Sequence, residues 1–234
     1  MTLIGKKLKT NNFFKMIKKL IVFNFIIFLI SLNAVHSIEP DIFVQSTVNR
    51  ASDTLSGNKT KEERIEELKQ IALDTVDIKG IGFYSLGKHR KNLTSDKKKE
   101  YSKVFKDYFL NSFSSRLAEY SNPVIEVNSK EKINDNYTIV SSTLAATDKR
   151  PAIKIDWRIY TKNPDKPLIR DLIIEGLSLA RTQKEEFNSI IQGADGDVEV
   201  LFASLRNFSK KWKTLVCGGP ARTRTWDQYI MSVL

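Results

Sequence analysis

The sequence predicts an α+β fold: a four-stranded, mainly antiparallel curved sheet covered by N- and C-terminal helices. Three observations carry that prediction. Apolar residues recur at helical spacing through the first half of the chain; the pattern changes to strict alternation after Pro123; it returns to helical spacing after Gly176.

Each element follows from its own stretch. Residues 41–56 place Val44, Val48, Ala51 and Leu55 on one helical face, and after the polar break "GNKTKEE" a second face carries Ile65, Leu68, Ala72 and Val76. The segment "DIKGIGFYSLG" reads as a short helix stopped at Gly87. A long helix is predicted over 95–120. Thr94 or Ser95 serves as its N-cap, and Asp96 lies at the positive end of its dipole. Its stripe is wide and aromatic: Tyr101, Val104, Phe105, Tyr108, Phe109, Phe113, Leu117 and Tyr120.

Four strands are predicted at 124–133, 136–147, 152–161 and 167–176, joined by the short polar links "NDN", "DKR" and "KNPDK" that suit hairpins. In the third strand Ile153, Ile155, Trp157 and Ile159 face one way and Lys154, Asp156, Arg158 and Tyr160 the other, so one sheet face is apolar and the other wet. By the same alternation Asp171 shares a strand face with Ile169 and Ile173. The stretch after Gly176 is predicted helical, with Leu179, Phe187, Ile190 and Ile191 toward the sheet. A last helix carries Val198, Leu201, Phe202 and Leu205.

Residues 1–37 belong to a different kind of segment. They hold six lysines, no acid and the apolar run "LIVFNFIIFLISL", about 13 residues long, where a bilayer span needs roughly 20. Small residues at Val35 and Ser37 then fit a cleavage site, so a secretory signal peptide cut after Ser37 is expected, read from Met1 or from Met16. No cysteine near the cut would take a lipid anchor, and the expected location is periplasmic. Residues 38–211 form the expected single domain. The tail 212–234 has no period and contains Cys217 and a Gly-Gly-Pro break, so a disordered extension or an error at the end of the reading frame is expected there and no function is assigned to it.

Charge and inventory then exclude several function classes. The full chain is +11, but without the first 37 residues 32 basic residues stand against 27 acidic ones, an ordinary surface balance with no call for nucleic acid. One cysteine cannot close an intramolecular disulfide, and His89 would be the only histidine of the mature chain. Imidazole-rich metal sites and Ser-His-Asp or Cys-His triads therefore lack their parts. No cofactor is expected, and the glycines of "GIGFYSLG" do not follow a strand as a dinucleotide fingerprint requires. Four Asn-x-Ser/Thr sequons, at Asn58, Asn92, Asn136 and Asn207, carry no weight in a chain rich in asparagine. Three carboxylates, Asp156, Asp171 and Glu175, lie on neighbouring predicted strands and raise an enzymatic reading. Arg158 and Arg170 nearby make a salt-bridged sheet the simpler one.

A resemblance enters on the short segment ending in "SLG", the helix "YSKVFKDYFLNSFSSRLAEY", the strand "IKIDWRI" and above all "IRDLIIEGLSLARTQKEEFNSII". Over roughly residues 41–210 these resemble the periplasmic phospholipid-binding component of the Mla lipid-transport system, the toluene-tolerance or ABC-transporter auxiliary family. One departure is "GKHRKN", which puts His89 and Arg90 where the family often has an aromatic pair.

The resemblance implies an NTF2-like sheet with packed helices enclosing an apolar cavity, acyl chains inside and headgroup outside. It also implies a monomeric carrier that exchanges lipid with an inner-membrane ABC transporter complex and an outer-membrane lipoprotein and porin complex. Candidate lining residues are Val104, Phe105, Tyr108, Phe109 and Phe113 on the aromatic helix, and Ile139, Ile155, Trp157, Ile159 and Ile173 on the strands. Leu177, Leu179, Phe187 and Ile191 complete the set. A lipid-free periplasmic adaptor and an NTF2-like enzyme stand as alternatives. Within "IRDLIIEGLSLAR", Gly176 is expected to turn the last strand into the covering helix.

Overall fold

Local signals start and stop the helices where the sequence places them. In the computed structural model, which describes residues 37–120, 123–148 and 150–216 and the backbone alone for 211–216, helix α1 spans Pro40–Ser56 with proline in its first turn. Helix α2, Lys61–Thr75, opens on a capping box: the Thr60 hydroxyl accepts from Glu63 N while the Glu63 carboxylate accepts from Thr60 N. Helix α3, Ile78–Ser85, is capped by Asp77 through Gly80 N at 2.8 Å. It ends before Gly87, whose φ of +54° suits glycine, and a 3₁₀ turn over Gly87–Asn92 follows. There His89 Nε2 meets Asn188 Oδ1 at 3.0 Å. Helix α4, Ser95–Leu117, begins at Thr94, whose hydroxyl accepts from Lys97 N.

The strands form one antiparallel meander in sequence order: β1 Ile125–Asn134, β2 Tyr137–Leu144, β3 Ile153–Tyr160, β4 Leu168–Ile174 and β5 Leu177–Ser178. The two-residue β5 makes five strands rather than the four expected. It arises because Glu175 and Gly176, with φ of +47° and +85°, make a two-residue turn that pairs Leu177 back onto Ile174. Gly176 thus turns the chain as expected, but into a hairpin before the helix starts.

One irregularity decides which residues face inward. Arg158 pairs with Asp171 and Ile159 with Ile169, so Arg170 is an extra residue in β4. Such a bulge reverses the alternation beyond it. Ile169 points toward the helices, and past the bulge Leu172 and Ile174 do so in place of Asp171 and Ile173. The expectation that Asp171 and Ile173 share the face of Ile169 is corrected on this ground.

Helix α5, Leu179–Gln192, and helix α6, Val198–Val216, close the chain. Helix α6 runs through Val216, past the expected domain end at residue 211. The expected signal peptide, through residue 36, and the tail from Cys217 lie outside the described residues.

Packing separates the apolar interior into three clusters. Tyr101, Phe105, Phe187, Ile191, Leu201 and Phe202 pack with α3 residues into an all-helical core. Val44 and Val48 of α1 pack on Val140, Ile155, Trp157, Ile159 and Ile174 of the sheet. Leu55, Ile65, Leu68 and Ile71 make a smaller cluster between α1 and α2. A filled domain of this size ordinarily has one continuous core. Phe187 and Ile191 were expected to face the sheet, and instead they face helices. Ile190 is exposed at 37%.

Candidate functional site

Between those clusters lies open space. Helix α4 packs chiefly on α2, α3 and α6, so helices on either side hold it off the sheet. Its wide stripe divides accordingly. Tyr101 and Phe105 are buried in the helical core, whereas Phe109, Phe113 and Leu117 keep part of their surface uncovered. That uncovered surface faces a cavity whose opposite wall is Trp157, Ile169, Leu172 and Ile174.

The cavity has two lobes with a common wall. The first, about 980 Å³ counting the space at its opening, is lined by Ile81, Phe105, Tyr108, Phe109, Leu179 and Gln183 with the sheet residues above. The second, about 920 Å³ on the same measure, runs toward α1 and α2 past Val48, Ala51, Leu55, Leu68, Ile71 and Ile155. Val76, Phe113, Leu117, Tyr120, Trp157, Ile169, Leu172 and Ile174 line both. Nearly all of this surface is carbon, which suits an apolar occupant.

The few polar groups at the wall are already engaged. The Trp157 indole donates to Ser142 Oγ at 2.8 Å, and Ser142 Oγ donates to Ile155 O. The Tyr108 hydroxyl donates to Gln183 Oε1 at 3.3 Å. Burial, with the Glu186 charge behind it, holds that hydroxyl well above the ordinary phenol range, so it stays neutral. These wall groups thus keep their hydrogen bonds, and the charged residues at the wall, Arg116, Arg170 and Asp171, belong to the first lobe alone.

Seven of the fourteen candidate residues line the cavity: Phe105, Tyr108, Phe109, Phe113, Ile155, Trp157 and Leu179. The other seven do not, each for a geometric reason. Val104 faces a side groove with Lys69 and Arg206, one helical step away from Phe105. Ile139 pairs with Arg158 on the outer face of the sheet, and Ile173 is turned outward by the bulge. Ile159 is fully covered within the sheet cluster, Leu177 lies in the β4–β5 hairpin, and Phe187 and Ile191 fill the helical core. Helices α1 and α2 supplied no candidate; their contribution to the second lobe left no mark in the periodicity.

The three carboxylates do not converge. Asp156 accepts from Ser141 Oγ at 2.6 Å and pairs with Lys154 on the outer face. Glu175 accepts from Lys154 N at the exposed hairpin turn. Asp171 is almost fully buried: it accepts from Ser178 Oγ at 2.6 Å and from Ala180 N at 2.9 Å. It therefore clasps the start of α5 to β4.

Floor of sheet, roof of helices and hollow apolar middle define a cavity-bearing α+β protein. Its fold matches that of a phospholipid-binding protein from Ralstonia solanacearum solved in complex with a phospholipid, with a TM-score of 0.64 and 19% identity over 75% of this chain and 99% of that one. No curated protein matches the chain. The family whose model matches is described as MlaC protein, over residues 45–207, and the chain belongs to that family.

Proposed function

We propose that this protein is a periplasmic phospholipid carrier, its acyl chains held in the two-lobed cavity and its headgroup outside. The observation that carries the reading is the apolar space between sheet and α4, lined from both sides by side chains with their polar atoms satisfied. Membership of the MlaC family, and the likeness to a protein solved with phospholipid, support it.

Two chains of about 16 carbons hold roughly 30 methylenes, and hiding them from water is worth on the order of 20 kcal/mol at about 0.8 each. A bilayer hides them equally well, so transfer between membrane and cavity is nearly balanced. Direction then comes from partners: an inner-membrane ABC transporter complex on one side and an outer-membrane lipoprotein and porin complex on the other. In this role the protein maintains outer-membrane lipid asymmetry as a monomer without chemistry of its own, and Asp156, Asp171 and Glu175 serve the fold.

The test is extraction of natively purified protein with organic solvent, followed by mass spectrometry. About one phospholipid per chain is expected. An empty extract, together with no uptake from labelled liposomes, would favour the lipid-free adaptor.

A further inference from the structure

We propose that a groove on the outer face of the sheet, with Arg158 and Tyr137 in its lining, receives the phosphate of the carried lipid; this rests on the carrier reading above. The groove abuts the cavity. Ile81, Arg170, Asp171 and Ala180 line both the groove and the first lobe, so the β4–α5 junction is the wall they have in common. The groove therefore adjoins the first lobe, where a headgroup emerging past this junction would meet it.

Formal charges cancel once Asp77, which pairs with Arg170 without lining the groove, is counted with Asp171 against the two arginines, but the hydrogen-bonding capacity does not. Asp77 accepts from Gly80 N and from Arg170 Nε and Nη2, while Asp171 is occupied by Ser178 and Ala180. Both acids face groups they already hold, and what remains available is donors. Arg158, half exposed, comes no nearer to Asp171 Oδ2 than 3.6 Å, beyond hydrogen-bond range. Its guanidinium carries five N–H donors in a fork that matches phosphate oxygens.

Beside it, the Tyr137 hydroxyl accepts from Arg170 Nη1 at 2.6 Å, which leaves its own proton for another acceptor. Arg170 is held in place by Asp77 and by the Tyr160 ring, 3.7 Å from guanidinium carbon to ring centroid. The hydroxyl is thus pre-positioned rather than free to swing. A fork and a fixed hydroxyl at the edge of an apolar cavity fit a phosphodiester with its two unesterified oxygens.

The test offers the full-length protein mixed vesicles of phosphatidylglycerol and diacylglycerol with matched acyl chains, and bound lipid is quantified by mass spectrometry. The wild type is expected to take the phospholipid in preference. Arg158→Gln should lower that preference about tenfold and Tyr137→Phe a few-fold, with Arg158→Lys restoring part of the loss. Circular dichroism and a thermal melt establish that each variant is folded.

Equal uptake of both lipids by the wild type, or an unchanged preference in folded Arg158→Gln and Tyr137→Phe, overturns the headgroup site and leaves the carrier intact. Uptake of neither lipid removes the carrier reading, and this site with it. A free-anion source is checked by titrating inorganic phosphate and following its ³¹P resonance. Phosphate binding that Arg158→Gln abolishes, with lipid preference unaltered, would assign the groove to a soluble anion and overturn the proposal.

Discussion

Asp171 shows how one residue's meaning depends on its partners. In sequence it is a carboxylate near two others; in the fold it is a buried acceptor joining β4 to the first turn of α5. Asp171→Ala should cost about 2–3 kcal/mol, because it strands Ala180 N and Ser178 Oγ in a covered site. Urea unfolding measures this, and a loss below about 0.5 kcal/mol would remove the clasp.

Tyr101 and Tyr108 make a second residue-scale case. Burial raises both hydroxyls above the ordinary phenol range, and Tyr101 donates to Gly82 O at 2.9 Å. The folded chain keeps these protons while the unfolded chain loses them near pH 10. Their contribution is therefore complete below about pH 10 and is lost as pH rises beyond it. Alkaline unfolding should be shallower in a Tyr101→Phe, Tyr108→Phe double variant, even though the loss of hydrogen bonds lowers its stability at pH 7. An unchanged alkaline slope would contradict this.

Among the elements, β4 and α4 do the most to shape the cavity. The bulge at Arg170 sends Leu172 inward and Ile173 outward, contrary to plain alternation. Leu172→Glu is therefore expected to abolish lipid loading and Ile173→Glu to leave it near one lipid per chain, both read by mass spectrometry on protein shown to be folded. The reverse result would restore the unbulged register. Helix α4 spreads its aromatic stripe over two tasks, packing through Tyr101, lining the cavity through Phe109 and Phe113, and doing both through Phe105. Phe109 and Phe113 stack with their centroids 5.4 Å apart and planes 13° from parallel, which fixes that part of the wall.

At the scale of the molecule, a cavity left without an occupant forfeits contact energy over both lobes. An occupant that binds only the folded state adds stability by mass action, about 2.7 kcal/mol at a hundredfold excess over its Kd. For a domain of this size that corresponds to roughly 5–10 °C. Lipid-stripped protein should therefore melt lower than protein as purified, and regain the difference on reloading from liposomes. Equal melting temperatures by calorimetry would speak against a filled cavity.

Element type and order were legible in the sequence. The cap at Thr94, the 3.6-residue stripes of α1, α2 and α4, and the alternation of β3 are local properties, set by backbone geometry and by which residues avoid water. Family likeness was legible too, because the order of those local motifs is itself a sequence property. What only the tertiary structure decided was where the apolar faces meet and where they stop short of meeting. A stripe has the same period whether its partner fills the space or stands across a void, so Phe109 and Tyr101 look alike in sequence and differ in the fold. The same holds for β4: one extra residue opposite β3 turns Ile173 away from the cavity and Leu172 into it, because pairing register depends on the neighbouring strand and not on the strand's own pattern.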